Sequence, residues 1–421
     1  MAAQPEQASI LSFEEARALV EAHASRVGPE GRELLGILDA QGRVLAEPIH
    51  ADRDFPPFPR ATRDGYAIRS ADLDKLPVDL KVIGEIKAGG AVSTLSVKSE
   101  QAATIMTGAP LPNGADAVIM VEHTSRSGDC VHVTRGVAPD ENVVGTGAEA
   151  KRGDKLLAPG VRIGYAEVAV AASVGRSRVL VHAKPRIAVL STGDEVVDID
   201  VPPGPNQIRN SNSFSLAAQI QAAGGEAIIL PIAPDEPKRL RELLAEGLES
   251  DLLLITGGVS MGKYDLVEQV LAELKAEFFF TGAQIQPGKP VVFGRIQCGA
   301  DTPTRETPDF KYFFGLPGNP ISTMVTFELF AKPMLEALSG ICSRSLVFTH
   351  AKLKSEIRTK TGLKRFLPAL LSGDYEHSEV ELVRWQGSGD IASVARANCY
   401  AVIPPDRERI DAGEWVPVLL R

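Results

Sequence analysis

Cysteine is scarce: Cys130, Cys298, Cys342 and Cys399 are the only four, and no two stand at C-x-x-C spacing. That fits neither a zinc cluster nor a dense disulfide framework, and a reducing cytoplasm is the simplest expectation. Long apolar runs are missing, and the opening MAAQPEQASILSFEEA lacks a basic segment followed by an apolar block. Neither secretion nor membrane insertion is expected. Positive charge is in deficit, with 45 Lys and Arg against 54 Asp and Glu and a net charge of −9. General attraction to nucleic acid or to an anionic membrane is excluded on that balance, so an anionic substrate has to be met by local Lys, Arg and loop amides. No Ser/His/Asp triad or HExxH motif stands out, and the seven histidines do not cluster at ligand spacing. Protease, lipase and zinc-hydrolase chemistry are therefore disfavoured. Internal repeats and low-complexity tracts are absent as well.

What remains is an ordinary globular composition, 44% hydrophobic and 24% charged over 421 residues, long enough for about two to four domains. Ser12 and Glu15 form a capping-box pair opening a helix with Ala16, Leu19, Val20 and His23 on its face. After Asp52 short alternating runs broken by Gly and Pro indicate a β-rich domain over 53–148. Lys151 to Val181 reads as a connection whose apolar Val168–Val174 stretch packs back near the first helix, giving a discontinuous helical and linker domain over 1–52 and 149–183. From Pro185 strands alternate with helices, the βαβ signature of a mostly parallel sheet over 184–339. Asn210 or Ser211 opens one helix, Gly224-Gly225 stops it, and Ile321 to Leu338 forms the last. The polar segment from Cys298 to Pro308 reads as a hairpin tip or an excursion. After Gly340 the helices stop, and a small β-barrel-like domain closes the chain over 340–421. The fold expected is thus multidomain, α/β plus β.

Three glycine-rich loops follow strand-like runs: Leu190 to Glu195, Ile255 to Asp265, and Gly315 to Pro320. In an open α/β sheet such loops collect at the carboxyl ends of the strands, where backbone N–H groups face an anion, so one shared pocket is expected. Gly257, Gly258, Ser260 and Gly262 suit a phosphate, although a tight turn also needs glycine. Pro317, Gly318 and Asn319 open the next helix in the same manner. Asp194, Glu195, Asp235 and Asp265 at these loop ends form a donor set suited to Mg²⁺ together with substrate phosphates. Asp235 and Asp265 would also serve as plain N-caps, whereas Glu195 has no capping role to explain it. Lys289 in QPGKP can neutralise phosphate or sit solvated in a turn. Asp64-Gly65-Tyr66 and Thr107-Gly108 mark loops of the β-rich domain, and Lys364-Arg365 with the GSGDIAS stretch offers oxyanion donors near the end.

DGYA, MTGAPLPNGADAVIM, STGDE, TGGVSMGKYD, PGKP and GLPGNP, in this order across residues 64 to 320, resemble the molybdopterin molybdenumtransferase family, which includes bacterial MoeA-type enzymes and the E domain of gephyrin. The resemblance implies a molybdopterin-binding α/β domain and insertion of molybdate into adenylylated molybdopterin with release of AMP. It implies a homodimer, with a molybdopterin adenylyltransferase and recipient molybdoenzymes as candidate partners. On matching motifs Glu195, Asp235 and Asp265 are acidic active-site positions, with Glu195 and Asp265 on Mg²⁺. Thr107 is a cleft threonine, Asp64 a substrate-binding position, and Arg365 and Ser393 lie near molybdate. Two positions depart from the family's pattern: Pro59-Arg60 replaces an Asp-Asn pair, and Gln286 replaces a lysine, with Arg60 as a substitute cation. An adenylyltransferase with similar GGVS-type loops and a gephyrin-like scaffold are the competing readings; the extra domains argue against the first.

Overall fold

The computed structural model describes residues 10–89, 95–258, 266–298, 309–341 and 346–421. The chain divides into two compact units, one of residues 1–34, 42–46 and 180–421 and one of residues 35–41 and 47–179.

The first unit is built on a six-stranded sheet in the order Glu226–Ile229, Arg186–Ser191, Leu252–Thr256, Asp309–Leu316, Val292–Cys298, Glu277–Phe280. The first four are parallel, with Ile187 opposite Ala227 and Leu252, and Leu252 opposite Tyr312. Val292–Cys298 runs antiparallel to both its neighbours. It forms a hairpin with Asp309–Leu316 whose tip, 299–308, lies outside the described residues. The edge strand Glu277–Phe280 has no counterpart among the sequence expectations, because its EFFF run follows the helix Leu266–Glu273 almost directly and has no alternation.

Successive residues of Arg186–Ser191 enter two different cores. Ile187 and Val189 join Leu252, Leu254 and Phe314 in one, and Ala188 and Leu190 join Leu253, Ile255 and Phe313 in the other. Both faces of the sheet are covered, which is why its strands read as unbroken apolar runs. Each of the Val, Leu, Ile and Phe side chains contributes roughly 1.5–3 kcal/mol on burial.

The helix Phe13–Ala24 carries its capping box, Ser12 with Glu15. Asn210 caps Ser211–Ala223, its side chain accepting from the Ser213 N–H at 3.1 Å, and Gly224 ends that helix at φ +97°. Asp235 is not a helix cap: the helix Pro237–Gly247 has Glu236 at its cap position with no side-chain bond. Pro237 in the first turn removes one donor that a cap would serve.

The expected helix over 321–338 is Pro320–Thr326, a π-helical stretch Phe327–Ala331, and Lys332–Leu338. Pro333 has no N–H to give the Leu329 carbonyl four residues back. The buried Arg17 guanidinium donates to that carbonyl instead, at 2.7 Å. One missing donor thus loosens the helix by a residue per turn and is answered from the first helix.

The end of the chain is a closed barrel of Lys364–Gly373, Ser378–Leu382, Phe348–Leu353, Trp415–Leu420 and Cys399–Ile403, the last pairing back to the first. Helix formation does not stop at Gly340, as the sequence suggested, because Asp390 caps a short helix, Ile391–Arg396. Parallel pairing of Ile285–Gln286 with Lys364–Arg365 ties the barrel to the α/β sheet within this unit.

The second unit holds the expected β-rich sheet, six strands in the order Ala117–Met120, Gly65–Ile68, Gln101–Ile105, Val78–Ile86, Cys130–Val133, Thr124–Ser127. Residues 151–179 are more than a connection. They contain the helix Tyr165–Ser173, of which only Ala171 is buried. No helix of the described residues is long and apolar enough to cross a membrane.

Candidate active site

A cavity of about 370 Å³ lies at the carboxyl ends of the parallel strands. Thr192 and Glu195 line it from the first loop, Gly257 and Gly258 from the second, and Pro317, Gly318 and Asn319 from the third. Asn210, Ser211 and Asn212, where the helix Ser211–Ala223 begins, form another wall. The positive end of that helix and the loop backbones face the same space, the arrangement that favours a phosphate.

The second loop is glycine by necessity. Gly257 and Gly258 have φ of +90° and +62°; a β-carbon on Gly257 would stand 2.7 Å from the Thr192 carbonyl oxygen, and one on Gly258 2.6 Å from Val267 Cγ2. The turn therefore presents backbone to the cavity, which no other residue type permits. Hydrogen bonds tie this loop to the third. The Thr256 and Thr323 hydroxyls donate to the Pro317 carbonyl at 3.3 and 2.5 Å. Asn212 Nδ2 donates to Thr256 Oγ1 at 2.9 Å and to the Gly318 carbonyl at 2.7 Å.

Glu195 is exposed at the rim, its carboxylate folded back so that a β-carbon on Gly193 would lie 2.5 Å from it. Asp235 does not line the cavity; its N–H donates to Asp194 Oδ1 at 3.1 Å. Ser260, Gly262 and Asp265 lie outside the described residues. Among the described residues no three His, Cys, Asp or Glu side chains gather as a metal site.

A second cavity of about 620 Å³ shares Pro290 and Asn319 with the first and is lined by Gln286, Lys289, Lys360, Arg365 and Trp385. Strand register sets Gln286 opposite Arg365, bringing the PGKP turn and the barrel to one wall. Arg365 is only 6% exposed and donates through Nη1 to the Leu363 carbonyl at 3.0 Å. Burial pushes its guanidinium below the usual arginine range. Among the described residues, Lys289, Lys360 and Arg365 have no carboxylate partner. Three cations on one cavity without a counter-charge make it receptive to a small oxyanion.

Three expected site residues stand elsewhere. Ser393 is buried and lines neither cavity; its N–H is accepted by Asp390 Oδ1 at 3.2 Å and its hydroxyl donates to the Asp390 carbonyl at 2.7 Å. Asp64 and Thr107 belong to the second unit, where Asp64 Oδ1 accepts from the Thr107 N–H at 2.7 Å and from its hydroxyl at 2.9 Å. Those two bonds hold the Asp64 carboxyl below its ordinary range.

Sequence reasoning missed Thr192, Asn212, Lys360 and Trp385. Thr192 and Asn212 sit inside loops already singled out, in STGDE and at the start of the next helix. Lys360 lies in a TKTG turn just before Lys364-Arg365, a signal available but unused.

Three family models match along the chain. Residues 11–175 match the MoeA N-terminal region (domain I and II), 188–337 a probable molybdopterin binding domain, and 350–420 the MoeA C-terminal region (domain IV). A molybdopterin molybdenumtransferase from a Nostoc species is 34% identical over 397 residues, covering 92% of this chain and 88% of that one. The chain belongs to the molybdopterin molybdenumtransferase family. Two crystal structures of the molybdopterin biosynthesis MoeA protein of Pyrococcus horikoshii, 33% and 29% identical, superpose with TM-scores of 0.70 and 0.76. They cover 98% of this chain and 99% and 100% of theirs.

The two departures from the family's pattern now have positions. Arg60 pairs with Glu149 at 2.6 Å, so its charge is engaged within its own unit. Gln286 stands in the wall of the cationic cavity, where Lys360 is an additional cation.

Proposed function

We propose that this protein is a molybdopterin molybdenumtransferase, which hydrolyses the adenylyl linkage of adenylylated molybdopterin, releases AMP and leaves molybdenum on the dithiolene. One observation carries the reading: a phosphate-suited cavity and a cationic cavity adjoin and share Asn319 and Pro290. The first takes the phosphorylated pterin and the second takes molybdate. Gly257, Gly258 and Asn319 hold the phosphates through backbone and turn donors, and Lys289 adds a charge between the cavities as negative charge develops on the leaving phosphate. Arg365 and Lys360 hold the oxyanion.

An exposed carboxylate beside a phosphate cavity suits a hard cation that takes one or two carboxylates plus substrate oxygens. Glu195, with Asp265, would hold Mg²⁺, which when bound offsets charge on the pyrophosphate. Asp235 is assigned to orienting the Asp194–Glu195 loop through its N–H. Thr107 fixes Asp64, and Ser393 shapes the barrel loop beside Arg365.

Homodimerisation is supported by the helix Tyr165–Ser173, an apolar sequence with Tyr165 88% exposed and only Ala171 buried. An apolar helix left this open calls for a covering partner. A cytoplasmic location accords with four cysteines lacking any paired spacing, and the four-domain division follows the sequence boundaries given above.

The test is AMP release from adenylylated molybdopterin with Mg²⁺, with and without molybdate. Molybdate-dependent AMP release with metal-bearing cofactor formed is expected, and Glu195→Gln should fold normally yet release no AMP. Wild-type turnover by that variant would remove Glu195 from the mechanism. ATP consumption with apo-molybdopterin would shift the assignment to the adenylyltransferase.

A further inference from the structure

The cationic cavity has one wall that a small oxyanion does not use. Trp385 lines it, and the volume of about 620 Å³ lies in the range that encloses a small organic molecule, well beyond a tetrahedral oxyanion. The indole is half-buried, packed against both the core under the α/β sheet and the core of the barrel. Its loop is pinned too. The Gln386 N–H donates to Asp390 Oδ2 at 3.2 Å, and the Ser388 carbonyl accepts from the Ile321 N–H at 3.0 Å. Ile321 lies two residues after Asn319, which both cavities share. An aromatic surface held in this way loses little freedom when a ligand meets it.

The other tryptophan, Trp415, has Lys352 over its ring. Among the described residues, neither a cation nor a second ring covers Trp385, although Lys289, Lys360 and Arg365 line the same cavity. The face of an indole is electron-rich, so it repels molybdate and attracts a cation or another ring. Three lysine and arginine side chains exclude a cationic ligand. An anion that carries an aromatic ring satisfies both conditions. We propose that Trp385 is a stacking platform for a heteroaromatic ring of the substrate, which reaches past Asn319 while its phosphates stay at the glycine turn. The proposal rests on the function assigned above and adds where one ring of the substrate lies. Adenylylated molybdopterin has two such rings, the pterin and the adenine, and either stacks by the same chemistry.

The test compares ring-bearing and ring-free probes by calorimetry on the full chain. One arm sets AMP against ribose 5-phosphate, the other 6-hydroxymethylpterin phosphate against methyl phosphate. Wild type should favour the ring-bearing probe at least roughly tenfold in one arm, the worth of one stacked base. Trp385→Leu keeps an apolar side chain between the two cores and should lower that preference about tenfold, with ring-free affinity changed less than about twofold. Trp385→Tyr should restore most of it. A role in packing alone would weaken both probes alike. A second measurement keeps the indole in place. The chain has two tryptophans, so in Trp415→Phe, altered at an exposed barrel position, the one indole N–H resonance is that of Trp385. It should move upfield under the ring current of the stacked probe and hold still with its ring-free counterpart; the arm that responds identifies the ring. No ring preference in wild type, a preference that survives Trp385→Leu, or a resonance unmoved by both ring-bearing probes overturns this inference and leaves the assigned function standing. Failure of wild type to bind any of the four probes, together with no AMP release from adenylylated molybdopterin, overturns both.

Discussion

The two adjoining cavities of the first unit are made from different materials. The strand-end cavity is walled mainly by backbone turns and neutral side chains, Gly257, Gly258, Gly318, Thr192 and Asn212; among the described residues its charged side chains are the exposed Glu195 and Arg209, whose Nε donates to the Ile199 carbonyl at 3.0 Å. The neighbouring cavity is walled by Lys289, Lys360 and Arg365 around Trp385. Shape recognition demands fixed backbone, so it comes from loops locked by hydrogen bonds. Charge recognition tolerates looser side chains, because Coulomb attraction is less directional and long side chains reach. Mutations should therefore act differently on the two.

The largest effect is expected in the first cavity from a single methyl group. Gly257→Ala forces a left-handed backbone on alanine, costing roughly 1–2 kcal/mol. It also drives a β-carbon to 2.7 Å from the Thr192 carbonyl. AMP release should fall by about a hundredfold, since a displacement of an ångström in a positioned site is enough for that. Molybdate binding measured by calorimetry should survive; joint loss would show that the two cavities are not separable.

Arg365→Ala comes next. It removes the buried donor of the second cavity, and molybdate affinity should drop roughly 10- to 100-fold, the worth of hydrogen bonds to a charged group. AMP binding should hold within about twofold if the cavities are independent. Lys360→Ala should cost less, roughly two- to fivefold, and the loss should shrink further at high salt, because an exposed charge is screened. A Lys360 effect equal to that of Arg365 would contradict the ranking by burial.

The smallest effect lies outside both cavities. Asp64 has a folded pKa held down by two Thr107 bonds. Its contribution to stability is therefore present above the carboxyl's unfolded pKa and is lost as pH falls through the folded value. Thr107→Val removes the hydroxyl bond and keeps the N–H one. The Asp64 midpoint followed by carboxyl NMR should move up towards the ordinary range; an unmoved midpoint would assign the shift to the backbone bond alone.

Much of this was legible beforehand, for identifiable reasons. The capping box at Ser12 and Glu15, the Asn210 cap and the Gly224 stop are local chemistry, and they hold in the structure. The parallel strands announce themselves because two-sided burial makes their residues continuously apolar. Asp235 misled as a cap because Pro237 changes which donors the helix start exposes. The π-helical Phe327–Ala331 was hidden because the carbonyl that Pro333 frees is answered by Arg17, some three hundred residues earlier. Lys360 had a local signal, the turn just before Lys364-Arg365, whereas nothing in the segment around Trp385 marks it.

By itself the sequence determined the elements, their caps and stops, the loops that must be glycine, and through an ordered series of motifs the family. Those are properties of short segments and of their order, and they follow from backbone sterics and burial period. Only the tertiary structure decided that Arg365 stands opposite Gln286 and shares a cavity with Lys289. It alone decided that Asn212 spends its two donors and leaves one acceptor without a partner. Such facts depend on which distant groups meet and in what orientation, and hydrogen-bond geometry of that kind exists only once the chain has closed on itself.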